Sequence, residues 1–314
     1  MIHRRITAIA LPLLLAAGCA QMAPTGAQLP AGQRFAAQLE VADHNAEAAI
    51  LRMTSFEQTV LREEAAVAYA TTGRRTPAAQ AGRSAAEAAG MVVAPAFTAI
   101  GDYGHILAQA AQGQAISAKP SPSGTELARA TEAGLAAVAA AARVNVPAPV
   151  REAGLAGIRA LADLPETIVK RGQGTPSLQA MAQEAEPHVA AVTALLRAVL
   201  GAETGQAVRG AIRARRGSLE AAHNRLLASA GGSSPIARYE LYRSIAALRD
   251  NDPAQGHISG IVNIVTRMHA AHAALAADPS SQDTAGKVAA FEAAVAELGN
   301  LAQVQQEAAA QPER

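Results

Sequence analysis

The chain has 314 residues and a net charge of +1, and 50% of its residues are hydrophobic. This length and apolar content can supply a large buried core, whereas a net charge near zero gives no electrostatic case for a nucleic-acid partner. Roughly a quarter of the residues are alanine, only 3% are aromatic and tryptophan is absent. Because alanine favours helices and the strand-forming residues are scarce, the composition predicts an all-α fold.

The first 19 residues have the layout of a bacterial export signal. Residues 1–5 carry positive charge, an apolar run of about a dozen residues follows, and Gly18 and Cys19 come next. The run is shorter than the roughly 20 residues that an ordinary membrane span needs. Cys19 is the only cysteine in the chain, so an internal disulfide and a multi-cysteine metal site are excluded.

The sequence Ala16-Ala17-Gly18-Cys19 resembles the lipobox of bacterial lipoprotein precursors, except that leucine is commoner at the first position. The resemblance, confined to residues 1–19, implies that residues 1–18 are a cleaved signal peptide. It also implies that Cys19 carries the acyl chains, such as palmitate, that anchor the protein in a bilayer. Ala20 replaces the aspartate that retains enterobacterial lipoproteins at the inner membrane. The implied location is therefore the inner leaflet of the outer membrane, facing the periplasm. Secretory cleavage after Ala20 and an uncleaved N-terminal helix are the alternatives.

A lipid-anchored flexible linker is predicted over residues 19–33, where Pro24, Gly26, Pro30 and Gly32 interrupt any apolar period. The helical domain is predicted over residues 34–307, and residues 308–314 are expected to fray.

The first predicted helix covers residues 34–71 and carries a heptad seam, in which apolar residues recur at alternating spacings of four and three. Glu63 occupies the one step of the seam that lacks an apolar residue. The seam residues are Phe35, Leu39, Ala42, Ala46, Ala49, Met53, Phe56, Val60 and Val67.

Clusters of proline and glycine divide the remaining chain into further helices. We expect Pro95 to kink or split the second helix and Pro165 to interrupt the fourth. A slip in the apolar phase at Gly201 and Gly205 predicts a bend. The later helices are predicted over residues 78–112, 125–143, 150–170, 177–229, 236–249 and 253–277, with a last one that starts at Ser281 or Asp283. Short turns between long helices predict a soluble, elongated antiparallel bundle of seven to nine helices.

Two histidines, His269 and His272, are three residues apart, so both side chains could reach one metal ion from one helix face. The sequence nominates no third ligand. The alternative interpretation is a hydrogen-bonded, partly buried His272, because this residue also falls on an apolar seam of its helix.

A stripe of arginines, Arg209, Arg213 and Arg216, follows one face of a helix. It could bind anionic lipid headgroups or an acidic partner, or it could be an ordinary solvated face.

No hydrolase elbow, phosphate-binding loop or zinc-protease motif occurs, so the sequence predicts no catalytic residue and no cofactor. The predicted function is a lipid-anchored, non-enzymatic scaffold or adaptor that binds an envelope protein. The alternatives are a periplasmic carrier or sensor of an apolar ligand held between helices, and a metal-dependent enzyme that uses His269 and His272.

Overall fold

The computed structural model describes residues 29–72, 83–172, 176–202, 206–229, 234–250 and 254–310. Over these residues the chain forms nine α-helices and no β-strand, which confirms the predicted all-α class. The helices are α1 (Ala31–Thr72), α2 (Ala85–Ala111), α3 (Gly124–Ala142), α4 (Ala148–Lys170), α5 (Leu178–Leu200), α6 (Ala207–Ser229), α7 (Pro235–Asp250), α8 (Ala254–Ala277) and α9 (Gln282–Ala310).

The helices pack as antiparallel neighbours around the central helix α2. Helix α2 contacts α1, α3, α4, α5 and α6, while α5 packs on α8 and α1 packs on α9. One continuous hydrophobic cluster includes residues from every helix except α7. In the described part of the chain, α2 is also the one helix long and apolar enough to cross a membrane, although 67% of its most apolar stretch is buried inside the bundle.

Helix α1 confirms the predicted seam, because all nine of its apolar seam residues are buried. The helix has 42 residues, which corresponds to a length of about 63 Å. It begins at Ala31, so the predicted linker extends three residues too far. The Pro30 carbonyl accepts the first helical hydrogen bonds, from the N–H groups of Gln33 and Arg34, and Gly32 is buried beside Leu178. Close packing therefore stabilises a first turn that has no apolar period of its own.

The expected split at Pro95 and the expected interruption at Pro165 are wrong, since α2 and α4 each continue through their proline. Pro95 has no N–H to donate to the carbonyl of Met91, which lies four residues earlier. Helix α3 packs directly on this carbonyl: a Cβ atom at Gly134 would lie 2.7 Å from the Met91 oxygen. The α3 backbone thus supports α2 where a hydrogen bond is missing.

The phase slip at Gly201 marks the end of a helix rather than a bend. Helix α5 ends at Leu200, and Gly201 adopts a left-handed conformation with φ of 77°. Its N–H donates to the carbonyl of Arg197, which caps the helix. Helix α6 then begins at Ala207, so the segment read as one long helix forms two.

The second half of α1, the second half of α6 and helix α7 pack together around a small cluster of their own, and we call this part of the molecule the tip. Its buried apolar cluster consists of Phe56, Val60 and Leu219. The polar seam position Glu63 lies 3.0 Å from Nε2 of the buried His223 in α6. Helix α7 packs mainly against α6.

Candidate functional site

Cys19, the predicted lipidation site, lies outside the described residues, as does the whole signal segment. The lipobox and the anchor therefore stay predictions from the sequence.

His269 and His272 meet at one carboxylate, that of Glu186 in α5. The His272 Nδ1 atom lies 2.5 Å from Glu186 Oε2, and the His269 Nε2 atom lies 3.0 Å from Glu186 Oε1. On the other side of its ring, His272 Nε2 lies 2.8 Å from the hydroxyl of Tyr103 in α2. These four side chains, which we call the Tyr–His–Glu–His chain, connect α2, α5 and α8.

The hydrogen bonds of this chain keep Glu186 ionised. Burial raises the pKa of Glu186, but the hydrogen bonds and positive charge of His272 and His269 outweigh burial, and the net pKa is lowered. An ionised carboxylate only accepts hydrogen bonds, so His272 donates from Nδ1 and His269 donates from Nε2. The other ring nitrogen of His272, Nε2, forms a hydrogen bond with the Tyr103 hydroxyl, and its direction is set by the protonation state of the imidazole. Burial, with a smaller contribution from the charge of Glu186, raises the pKa of Tyr103 well above its usual value.

The Tyr–His–Glu–His chain runs from the core to the surface. His272 is fully buried and Tyr103 is 1% exposed, whereas the side chains of Glu186 and His269 are 29% and 36% exposed. A substrate in solvent can therefore reach only the outer half. Among the described residues, no group of three or more His, Cys, Asp and Glu side chains is arranged to hold a metal ion. The arrangement instead fits the hydrogen-bonded interpretation of His272.

Tyr103 and Glu186 were not identified from the sequence. Glu186 is separated from His272 by 86 positions along the chain, and nothing in its local pattern marks it. The sequence does show that Tyr103 is one of four tyrosines in a chain poor in aromatic residues, which is the only available signal.

The arginine stripe of α6 is engaged at both of its ends. Arg209 donates from Nη2 to Ser259 Oγ of α8 at 2.8 Å, and Arg216 lies 3.6 Å from Glu220 of its own helix. Burial, followed by the like charge of Arg213, lowers the pKa of Arg209. The structure thus brings Arg209 and Arg213 together, and all three arginines are half-buried.

An apolar groove of about 540 Å³ lies between α1 and α2, and we call it the α1–α2 groove. Ile50, Leu51, Met91, Val93 and Ala94 form its apolar lining. Polar side chains occupy its ends, with Asp43, Glu47 and Thr98 toward one end and Thr54 and Glu87 toward the other.

A second, more polar groove of about 590 Å³ lies between α1, α2 and the segment before α3. The buried carboxylate of Asp102 lines it and already has a cation, because Lys119 Nζ lies 3.1 Å from Oδ1. Ser121 Oγ donates to the other oxygen, Oδ2, at 2.5 Å. This carboxylate is therefore neutralised by the chain itself.

Helix α7 presents three large apolar side chains to solvent. Ile236, Tyr239 and Tyr242 are 69%, 65% and 65% exposed, and their spacing of three places them on one side of the helix. We call them the α7 face. Leu241 and Ile245 are half-buried, and Ile245 lies beside Phe56 and Leu219 of the tip. Helix α7 is therefore apolar on two sides and covered on one.

Comparison of the chain with protein-family models, with curated proteins and with solved structures gives no match.

Proposed function

We propose that this protein is a cell-envelope lipoprotein whose helical body acts as a non-enzymatic scaffold or adaptor. Cys19 anchors it in the inner leaflet of the outer membrane, and the body faces the periplasm. The lipobox-like segment and the absence of any other cysteine support the anchor. With α1 starting at Ala31, residues 20–30 remain as the tether between the lipid and the body.

The observation that carries the adaptor role is the α7 face. Tyrosine and arginine are enriched in protein–protein interfaces, where their large side chains supply much of the binding energy. The α7 face combines Tyr239 and Tyr242 with Ile236, and the exposed Arg238 and Arg243 lie on the same helix. A partner that covers this face would bury apolar area that the bundle leaves in water.

Metabolic labelling with an alkyne fatty acid in a bacterial host tests the anchor. The wild-type chain should be labelled and should sediment with outer membranes, whereas Cys19→Ser should carry no label. Since Cys19 is the only thiol, labelled Cys19→Ser protein or unlabelled wild-type protein would overturn the anchor.

Site-specific photocrosslinking in intact cells tests the adaptor role. A photoreactive residue at Tyr239 should give one discrete adduct, and the same residue at Ala136, exposed on α3, should give none. The double change Ile236→Ser and Tyr242→Ser should abolish the adduct, because it removes the remaining apolar contacts of the face. Equal crosslinking from both positions would contradict the proposal.

A second candidate function is a carrier or sensor of an apolar ligand. The α1–α2 groove favours it, because this groove is long, mostly apolar and open at the surface between two packed helices.

A further inference from the structure

The α1–α2 groove combines an apolar floor with acidic side chains at one end. Leu51 is 60% exposed where it lines the groove, while Ile50 and Val93 are almost fully buried beneath it. Gly90 lets Ile50 pack directly against α2 to close the floor, because a Cβ atom at this position would lie 2.8 Å from Ile50 Cγ2. From Asp43 to Leu51 the groove follows α1 for about 12 Å.

Asp43 and Glu47 differ from Asp102 and Glu87, the acidic residues on the facing helix, in their lack of a cation. Asp102 has Lys119 at 3.1 Å, and Glu87, at the far end of the groove, has Arg83 at 2.9 Å. Neither Asp43 nor Glu47 forms an ion pair within the described ranges of the chain. The acidic end of the groove therefore has negative charge that the chain does not compensate at short range.

The raised pKa of Asp43 also indicates that its negative charge is not compensated. Burial raises the pKa of Asp43, and the charge of Glu47 raises it further. His44 and Lys119 lower this pKa by smaller amounts, and Glu40, with the smallest effect, raises it. A raised pKa means that the ionised carboxylate is destabilised where it stands. A cation placed between Asp43 and Glu47 would relieve this destabilisation.

We propose that the α1–α2 groove binds a cationic amphiphile, with the ammonium group between Asp43 and Glu47 and the apolar chain along Ile50, Leu51 and Met91. This inference rests on the second candidate function and specifies the ligand's chemical class. The apolar chain gains free energy by leaving water, and the carboxylates select the head group. A fatty acid would bring a third negative charge to the acidic end and is therefore disfavoured.

Titration calorimetry with three matched probes tests the proposal. The protein is the full chain carrying Cys19→Ser, so that no lipid is attached, and the probes are decylamine, decanol and decanoate below their aggregation concentrations. Decylamine should bind one molecule per chain, about tenfold more tightly than decanol, as expected for two partly exposed ion pairs. The double variant Asp43→Asn, Glu47→Gln should lose this preference and retain decanol binding.

A second pair of variants locates the site. Ala94 is exposed and lines the groove, so Ala94→Trp should fill it and abolish binding of all probes, while Ala136→Trp on α3 should bind like the parent. Circular dichroism checks that each variant folds. Equal affinity for the three probes would overturn the cationic selectivity and leave the carrier function standing. Absence of binding, or binding that survives Ala94→Trp, would overturn both.

Discussion

The carboxylate of Glu186 accepts hydrogen bonds from two histidines, His269 and His272. Because His272 has this partner, its imidazole can be fully buried in an alanine-rich core. His272 uses both ring nitrogens, one toward Glu186 at 2.5 Å and one toward Tyr103 at 2.8 Å. A buried polar group that keeps all its partners costs little, whereas removing one partner exposes the full cost of its desolvation. The chain of hydrogen bonds therefore fixes the positions of α2, α5 and α8 relative to one another.

Replacing Glu186 with glutamine should destabilise the fold by about 1–3 kcal/mol, the range for removing a charged partner from a buried donor. Chemical denaturation measures the free energy of unfolding. Glu184→Gln is the matched control on the same helix, because Glu184 pairs with Arg171 at the surface, where both side chains are more than a third exposed. It should change stability by less than about 0.5 kcal/mol. Equal effects of the two substitutions would contradict the role given to Glu186.

The stabilisation by Glu186 should also depend on pH. Its pKa is lowered in the folded protein, so its contribution is present above the unfolded-state pKa of about 4.3 and is lost as the pH falls through the folded-state pKa. The groups that face it are His269, His272 and, through His272, Tyr103. The difference in unfolding free energy between wild type and Glu186→Gln should therefore shrink between about pH 5 and pH 3, as the pH falls below the unfolded-state pKa of the glutamate. A difference that grows over this interval would contradict the assignment.

At the scale of the elements, α2 and α3 compensate for a proline that would ordinarily break a helix. Pro95 leaves the Met91 carbonyl without its helical donor, and Gly134 lets the α3 backbone lie against that carbonyl. The two residues, 39 positions apart in sequence, act as a pair.

Gly134→Ala should therefore destabilise the protein by about 1–3 kcal/mol, because the new Cβ would lie 2.7 Å from the Met91 backbone and 2.9 Å from Val92 Cγ2. Gly217→Ala in α6 is the control: a Cβ atom there meets nothing within 4 Å, and alanine should stabilise the helix by about 0.5–1 kcal/mol. Thermal unfolding of both variants measures the difference. A neutral Gly134→Ala would show that α3 does not pack on α2 at this point.

Features set within one helix could be predicted from the sequence, whereas features set by contacts between helices could not. The α1 seam could be predicted, since a heptad repeat reports one buried face whatever packs on it. Pro95 could not be interpreted correctly, because its compensation comes from another helix. Likewise, His272 could be placed on a buried face, but its partners depend on how α5 and α2 sit beside α8. The local sequence pattern thus predicts the helices and their buried faces, whereas the contacts between residues of different helices are known only from the packed structure.

For the whole molecule, buried apolar area is unevenly distributed between the main bundle and the tip. The main cluster joins eight helices. Among the described residues, the tip is held by Phe56, Val60 and Leu219, by the Arg215–Glu64 ion pair and by the contact between His223 Nε2 and Glu63 Oε1. Regions with few buried contacts open at lower free-energy cost than the rest. The helix that carries the proposed partner surface is therefore also the least covered described helix.

Hydrogen exchange measured by mass spectrometry should show this difference. Peptides from α7 should exchange at least tenfold faster than peptides from α2, whose backbone lies inside the bundle. Peptides from α4, which has buried residues along its length, serve as an internal control and should exchange like α2. Protection of α7 equal to that of α2 would mean that the tip unfolds only with the whole molecule.

The burial of Tyr103 gives the core a spectroscopic probe, the near-ultraviolet circular dichroism of tyrosine. The chain has no tryptophan, and Tyr69, Tyr239 and Tyr242 are each more than half exposed, whereas Tyr103 is 1% exposed. A tyrosine ring gives a strong near-ultraviolet dichroic signal only when its surroundings are fixed. That signal should therefore come mainly from Tyr103 and report the separation of α2 from α8, while the far-ultraviolet signal reports every helix. When the two are followed on heating, loss of helix in the tip should precede loss of the tyrosine signal.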